Sequence, residues 1–216
     1  MQLLSHLLEF PAPETTHASG IIAIGGDLSE KRLLLAYENG IFPWFEDGEP
    51  ITWWCPEWRM VLLLDTYKPS KSLRNILNRN KFKVTFNTAF KEVITHCQQA
   101  KREGQQGTWI TDDMMNAYIT LHESGKATSV EVWLENELVG GLYGVDLGRI
   151  FCGESMFSKV SSASKIALHF LVGYLKEHHY LLLDGQVYNE HLENLGFIEI
   201  HRDDFLKILH VANSKN

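Results

Sequence analysis

An aspartate follows directly on the apolar run 181–183, and a glutamine stands two residues later. In an extended chain, residues i and i+2 face the same side. Asp184 and Gln186 are therefore expected to share a face at the C-terminal end of a strand, where a carboxylate and an amide could meet one substrate atom. The plainer use of such a pair is to cap the next helix. Glu154, in Gly153-Glu154-Ser155-Met156, ends another strand and is expected to face the same cleft.

Two other groupings point to a partner. Lys68, Lys71, Arg74, Arg79, Lys81 and Lys83 occur with no acid between them. Lys71 and Arg74 are three apart and share a helix face. A solvated surface would explain them, and so would a phosphate-contacting patch. In and beyond an aromatic stretch that also holds Phe42 and Phe45, Trp44, Trp53, Trp54 and Trp109 could stack unpaired bases. Core packing is the default for any one of these tryptophans. Trp44, in a Pro-containing loop, and Trp109, just after Gly107, are the two expected near a site.

Other chemistries lack their signatures. The ten histidines include no HExxH and no Cys/His ligand spacing, so no metal is expected. Neither GxxxxGK[ST] nor GxGxxG is present, and Gly25-Gly26 reads as a tight turn. Residues 156–165, before the long C-terminal helix, contain no glycine to let backbone cradle a pyrophosphate, which disfavours coenzyme A. No cofactor is expected.

Composition sets the frame. The chain has 216 residues, 44% hydrophobic, and a net charge of −7, enough for a real core without disulfides. The acidic balance argues against a surface that coats nucleic acid throughout, but leaves room for a local basic patch. Three scattered cysteines, no signal peptide and no apolar run near ~20 residues suggest a cytoplasmic protein without a membrane span.

The elements that must position these residues follow from pattern. Residues 1–60 read as a small, loop-rich N-terminal part with one short helix, capped by Ser29 and ended at Asn39-Gly40. Residues 61–216 read as mixed α/β. Strands are expected at 60–64 and 82–86, and helices at 70–78, 89–100 and, capped by Thr111, 111–123. A meander is expected at 129–134, 138–145 and 149–154. A long helix at 162–177, a strand at 180–183, a short helix at 189–195, a strand at 197–200 and a helix opened by Asp203 or Asp204 complete the chain. That order resembles an acetyltransferase-like fold of the acyl-CoA N-acyltransferase type, which by itself does not give the reaction.

Taken together, the motifs resemble bacterial leucyl/phenylalanyl-tRNA–protein transferases. They are GGDLS at 25–29, GIFPWF at 40–45, Trp53-Trp54, TWI at 108–110, Ala117-Tyr118, SVEVW at 129–133, LVGGLYG at 138–144, FCGESMFS at 151–158, ASK at 163–165, Asp184-Gly185-Gln186 and Leu195-Gly196. Each is weak alone, but their order and spacing over residues 20–205 are specific. The resemblance implies transfer of Leu, Phe and, less readily, Met from aminoacyl-tRNA to a protein N-terminus that begins with Arg or Lys, producing an N-end rule degradation signal. It implies no metal and no coenzyme A, and a monomer is expected.

By the same resemblance, Trp44 and Trp109 lie around the terminal adenosine and aminoacyl ester. Leu142, Tyr143 and Phe151 lie near the amino-acid pocket, with Tyr118 and Ser155 among the substrate-binding positions. Glu154 and Asp184 suit a cationic peptide N-terminus, and Lys68 to Lys83 the tRNA. In the implied mechanism Gln186 accepts a hydrogen bond from the attacking amine, and Asp184 orients Gln186 and stabilises developing positive charge. The chain departs from the family pattern at Gly185, Thr128 and Leu142. Rival readings are a coenzyme A-dependent N-acetyltransferase, a non-catalytic tRNA or N-degron binding module, and a peptidoglycan-type aminoacyl transferase, which is usually longer.

Overall fold

Short apolar stretches broken by Gly and Pro build a sheet in the N-terminal part, where loops were expected. The computed structural model describes residues 2–16, 19–100 and 109–214; Gly107 and Thr108 lie outside them. Strands β1 (Gln2–Leu4), β2 (Ile21–Gly25), β3 (Phe42–Pro43) and β4 (Thr52–Trp54) pair in the order β1-β2-β4-β3. β1, β3 and β4 are two or three residues long, too short to show a period. Trp53 fastens the sheet: it is fully buried, and its indole N–H donates to the Gly25 carbonyl at 2.8 Å. It belongs to the core and not to a stacking surface. Helix α1 (Glu30–Glu38) joins β2 to β3.

The second sheet has seven strands. They are β5 (Trp58–Leu63), β6 (Phe82–Phe86), β7 (Ala127–Leu134), β8 (Glu137–Asp146), β9 (Ile150–Ser158), β10 (Leu182–Gln186) and β11 (Ile198–His201). Their order is β11-β5-β10-β9-β8-β7-β6. The expected meander is present as antiparallel β7, β8 and β9. β5 enters between β10 and β11, antiparallel to both.

The helices are α2 (Lys71–Leu77), α3 (Phe90–Gln99), α4 (Asp112–Glu123), α5 (Ala163–Glu177), α6 (Glu190–Glu193) and α7 (Arg202–Asn213). Ser70 and Thr111 cap α2 and α4 with their hydroxyls, accepting from the Leu73 and Met114 amides. Ser29 precedes α1 without a side-chain cap; its own amide donates to Asp27.

Alternation along the strands divides the core. Leu183 and Phe151 face α5, in a cluster with Leu142, Leu168 and Leu171. Leu182 and Cys152 face the other way, in a core continuous with α3, α4, α7 and the small sheet. The two sheets therefore share one apolar interior. Among the described residues no helix is long and apolar enough to cross a membrane.

Candidate active site

Neighbouring parallel strands that stop pairing leave a gap, and here the gap is the site. β9 and β10 pair from Leu182↔Ile150 to Asp184↔Cys152. Beyond that point β9 continues to Ser158 while β10 ends at Gln186. Residues past the split line a cavity of about 750 Å³, within the range of small-molecule sites.

A bulge sits on each side of the split. On β9, Tyr143 pairs with Ser155 and Gly144 with Gly153, so Glu154 is the extra residue. On β10, Asp184 pairs with Val61 and Gln186 with Met60, leaving Gly185 as the extra one. Bulges re-aim side chains. At Gln186 the backbone enters the left-handed region, φ 66°. The expected simple alternation of Asp184 and Gln186 is thereby broken, and their side chains take different partners.

Asp184 is fully buried and paired with Arg59, itself buried on β5. Arg59 Nε and Nη2 donate to its two carboxylate oxygens at 2.8 and 2.6 Å. Burial opposes the Arg59 charge, and the Asp184 carboxylate outweighs it, so the guanidinium stays protonated. The third arm, Nη1, donates to the Gly40 carbonyl at 3.0 Å, at the left-handed turn that ends α1. The guanidinium lies between the Phe42 and Phe205 rings, 4.8 and 4.5 Å from their centroids. Asp184 also accepts from the Gln186 backbone amide at 2.8 Å. Its charge is thus already matched by Arg59, and it orients Gln186 through the main chain. This departs from the expectation that Asp184 offers charge to a substrate.

Glu154 is the carboxylate without an ion-pair partner among the described residues. Tyr37 from α1 donates to its Oε1 at 2.7 Å, and Tyr118 from α4 to its Oε2 at 3.0 Å. The two phenol oxygens are 2.5 Å apart. Gln186 Nε2 donates to Oε1 at 2.7 Å. No hydrogen bond holds Gln186 Oε1 among the described residues, and Gln186 lines the cavity. Burial raises the Glu154 pKa to about 7, against the lowering effect of its hydrogen bonds.

The structure places Trp44, Trp109, Leu142, Tyr143, Glu154, Ser155, Asp184 and Gln186 on the cavity wall. Leu142, Leu168, Leu171, Leu183, Leu192 and Phe197 give that wall an apolar side. Trp44 leans on Trp54 at 5.4 Å between centroids, and its carbonyl accepts from the Trp54 indole at 2.7 Å. Two expected substrate-binding residues stand back from the wall. Phe151 faces α5 in the core beneath it, crossing the space that Gly144 leaves without a side chain. Tyr118 is fully buried behind Glu154.

Arg59 and Tyr37 were not singled out from sequence. A cation opening an apolar strand signals a buried charge that needs a partner. Tyr37, one apolar residue among others in α1, gave no comparable signal.

The basic residues lie elsewhere. Lys68, Lys71, Arg74, Arg79, Lys81 and Lys83 are all exposed, on α2, β6 and their flanks. None forms an ion pair among the described residues. β6 is four strands from β10, so steps of about 4.8 Å put it roughly 19 Å away across the sheet.

Comparison with known proteins agrees in extent as well as kind. A family model described as leucyl/phenylalanyl-tRNA protein transferase matches residues 61–210, and that of its N-terminal domain matches residues 26–57. The leucyl/phenylalanyl-tRNA–protein transferase of Flavobacterium psychrophilum is 62% identical, covering 97% of this chain and 99% of its own length. That of Sulfurimonas denitrificans is 50% identical, covering 98% and 92%. Among solved structures, FemX superposes with a TM-score of 0.53 at 12% identity, over 80% of this chain and 66% of its own. That likeness carries the acetyltransferase-like fold alone.

Proposed function

The chain belongs to the leucyl/phenylalanyl-tRNA–protein transferase family of aminoacyltransferases, and on that premise we propose that it moves Leu, Phe and, less readily, Met from aminoacyl-tRNA to the N-terminal Arg or Lys of a protein. The product is a degradation signal of the N-end rule pathway, made in the cytoplasm. The observation that carries this reading is the split between β9 and β10, which joins an apolar wall to a polar floor where Gln186 Oε1 has no hydrogen-bond partner among the described residues.

Each part of the cavity has a task. The leucines and Phe197 take the amino-acid side chain, selecting by shape and apolar burial. One methylene is worth only ~1–3 kcal/mol in such a pocket, so preference among Leu, Phe and Met is graded. Trp44 and Trp109 flank the terminal adenosine. Gln186 Oε1 accepts from the incoming amine, its orientation fixed by Glu154 on Nε2 and by Asp184 on the backbone. The ester is already activated, so the amine attacks without a covalent enzyme intermediate, and proximity supplies most of the rate.

The basic residues from Lys68 to Lys83 hold the acceptor arm at phosphates away from the reacting end. At the start of α5 the Ser164 amide donates to Ser158 Oγ at 2.8 Å.

A transfer assay decides the matter. Labelled Leu-, Phe- and Met-tRNA are offered with peptides beginning Arg, Lys or Ala. Transfer to the Arg and Lys peptides, weakest from Met-tRNA and absent with Ala, is expected. Absence of transfer to Arg and Lys peptides overturns the reading. Gln186→Ala is expected to lower the rate at least tenfold while leaving aminoacyl-tRNA binding intact.

A further inference from the structure

Three short oxygen–oxygen contacts close a ring behind the Gln186 amide: Tyr37 to Tyr118, Tyr37 to Glu154 Oε1, and Tyr118 to Glu154 Oε2. A hydrogen bond needs one proton per contact. Burial pushes both phenols far above their ordinary range, helped by the Glu154 charge, so each tyrosine keeps one proton. Two protons serve three contacts when Glu154 is ionised, and one contact then sets lone pair against lone pair. One added proton completes the ring. From this geometry we infer that Glu154, held by Tyr37 and Tyr118 as positioning residues, is the proton acceptor of the transfer reaction.

The inference rests on the aminoacyl-transfer reading and deepens it. An acceptor N-terminus arrives as an ammonium, with an ordinary pKa near 8. Gln186 joins the two, its Oε1 taking the amine and its Nε2 donating to Glu154 Oε1 at 2.7 Å, and a general base can act through one water. The ammonium gives one proton to the Glu154 carboxylate. The freed nitrogen pair attacks the ester carbonyl, forming the C–N bond. The C–O bond to ribose breaks, its electron pair leaves on the ribose oxygen, and that oxygen takes the nitrogen's second proton. The products are an amide, a free ribose hydroxyl and protonated Glu154, which then returns its proton to solvent.

Gln186 cannot fill this role, because an amide does not hold a proton near neutral pH. Asp184 is set apart by its counter-charge: the Arg59 cation donates to both of its oxygens, whereas Glu154 meets only neutral donors. The charged and titratable groups that face Glu154 are Tyr37 on α1, Tyr118 on α4 and Asp184 on β10, with Cys152 on β9 and Tyr143 on β8 behind them. A Glu154 pKa of about 7 suits a base working near neutral pH.

The test is single-turnover transfer from Phe-tRNA to an Arg-peptide across pH, with the full chain. The wild-type rate is expected to show a limb near pH 7 from Glu154. Glu154→Gln keeps shape and hydrogen bonds but takes no proton. It should bind aminoacyl-tRNA normally, lose at least about 10²-fold in rate, and rise with pH only as the amine itself deprotonates. In the Tyr37→Phe/Tyr118→Phe double variant the carboxylate loses two donors, and the limb should move to higher pH. An E154Q rate within threefold of wild type, or the same limb in E154Q, overturns the proposal. A limb unmoved in the double variant overturns the tyrosines' part in it. If the wild-type protein itself fails to transfer, the underlying reading falls, an outcome distinct from a change confined to E154Q.

Discussion

The cleft floor and the basic edge are both polar, but they are built on opposite principles. On the floor, Arg59, Asp184 and Gln186 are buried and each is committed to named partners. At the edge, six cations stand in solvent without ion pairs among the described residues. Burial concentrates the cost of an error, because a desolvated charge has nowhere else to go. Exposure spreads it, because water and salt replace whatever is lost. The floor should therefore fail one residue at a time, and the edge by degrees.

Asp184→Asn gives the largest expected effect. It leaves the Arg59 cation buried without a counter-charge, at a cost of about 3–5 kcal/mol in unfolding free energy. Denaturant melts would show that loss together with a collapse of transfer. A marginal loss would make the floor no more sensitive than the edge.

Next comes the pH dependence of stability. The Glu154 pKa rises from 4.5 unfolded to about 7 folded. The folded state then binds more protons between those values, so stability is fullest below pH ~4.5 and declines as pH rises through ~7. The decline is about 3 kcal/mol at most. Glu154→Gln should flatten this part of a stability-versus-pH curve, whereas substitutions at the edge should leave it alone.

On the apolar wall, Leu142→Met conserves volume and should cost less than about 1.5 kcal/mol in stability. The Phe-to-Leu ratio of kcat/KM should shift by up to about tenfold. The smallest effect on stability belongs to the edge. Lys68→Ala/Lys71→Ala/Arg74→Ala should leave unfolding within about 0.5 kcal/mol of wild type. The slope of log affinity for aminoacyl-tRNA against log salt should fall by roughly 2 to 3. An unchanged slope would remove the edge from tRNA binding.

The same contrast explains what the sequence revealed. The basic edge was legible because it is local: Ser70 caps α2, a strand forms at 82–86 as expected, and the charges are neighbours in the chain. The α4 cap at Thr111 and the meander were legible for the same reason. The floor was legible only in part. Gln186 does end its strand, but Glu154, expected at a strand end, sits at a bulge in the middle of β9, and Arg59 and Tyr37 reach the floor from 125 and 117 residues away. Local periodicity holds no trace of such pairings, nor of β5 inserted between two much later strands. The two bulges also defeated alternation, since one extra residue redirects everything after it. The first sheet escaped notice because three of its four strands, at two or three residues, are shorter than a readable period.

The insertion of β5 also makes the fold keep time. β5 leaves the ribosome early, yet its two neighbours are β10 and β11, near the end of the chain. Until those strands emerge, Arg59 has no Asp184, the split between β9 and β10 does not exist, and α1 is not tied through Gly40 to the floor. Pairings this distant in sequence close late and slowly. A truncated or half-made chain therefore carries the basic residues of α2 and β6 without the paired floor of the cleft. Completion of the polypeptide is the event that arms the enzyme.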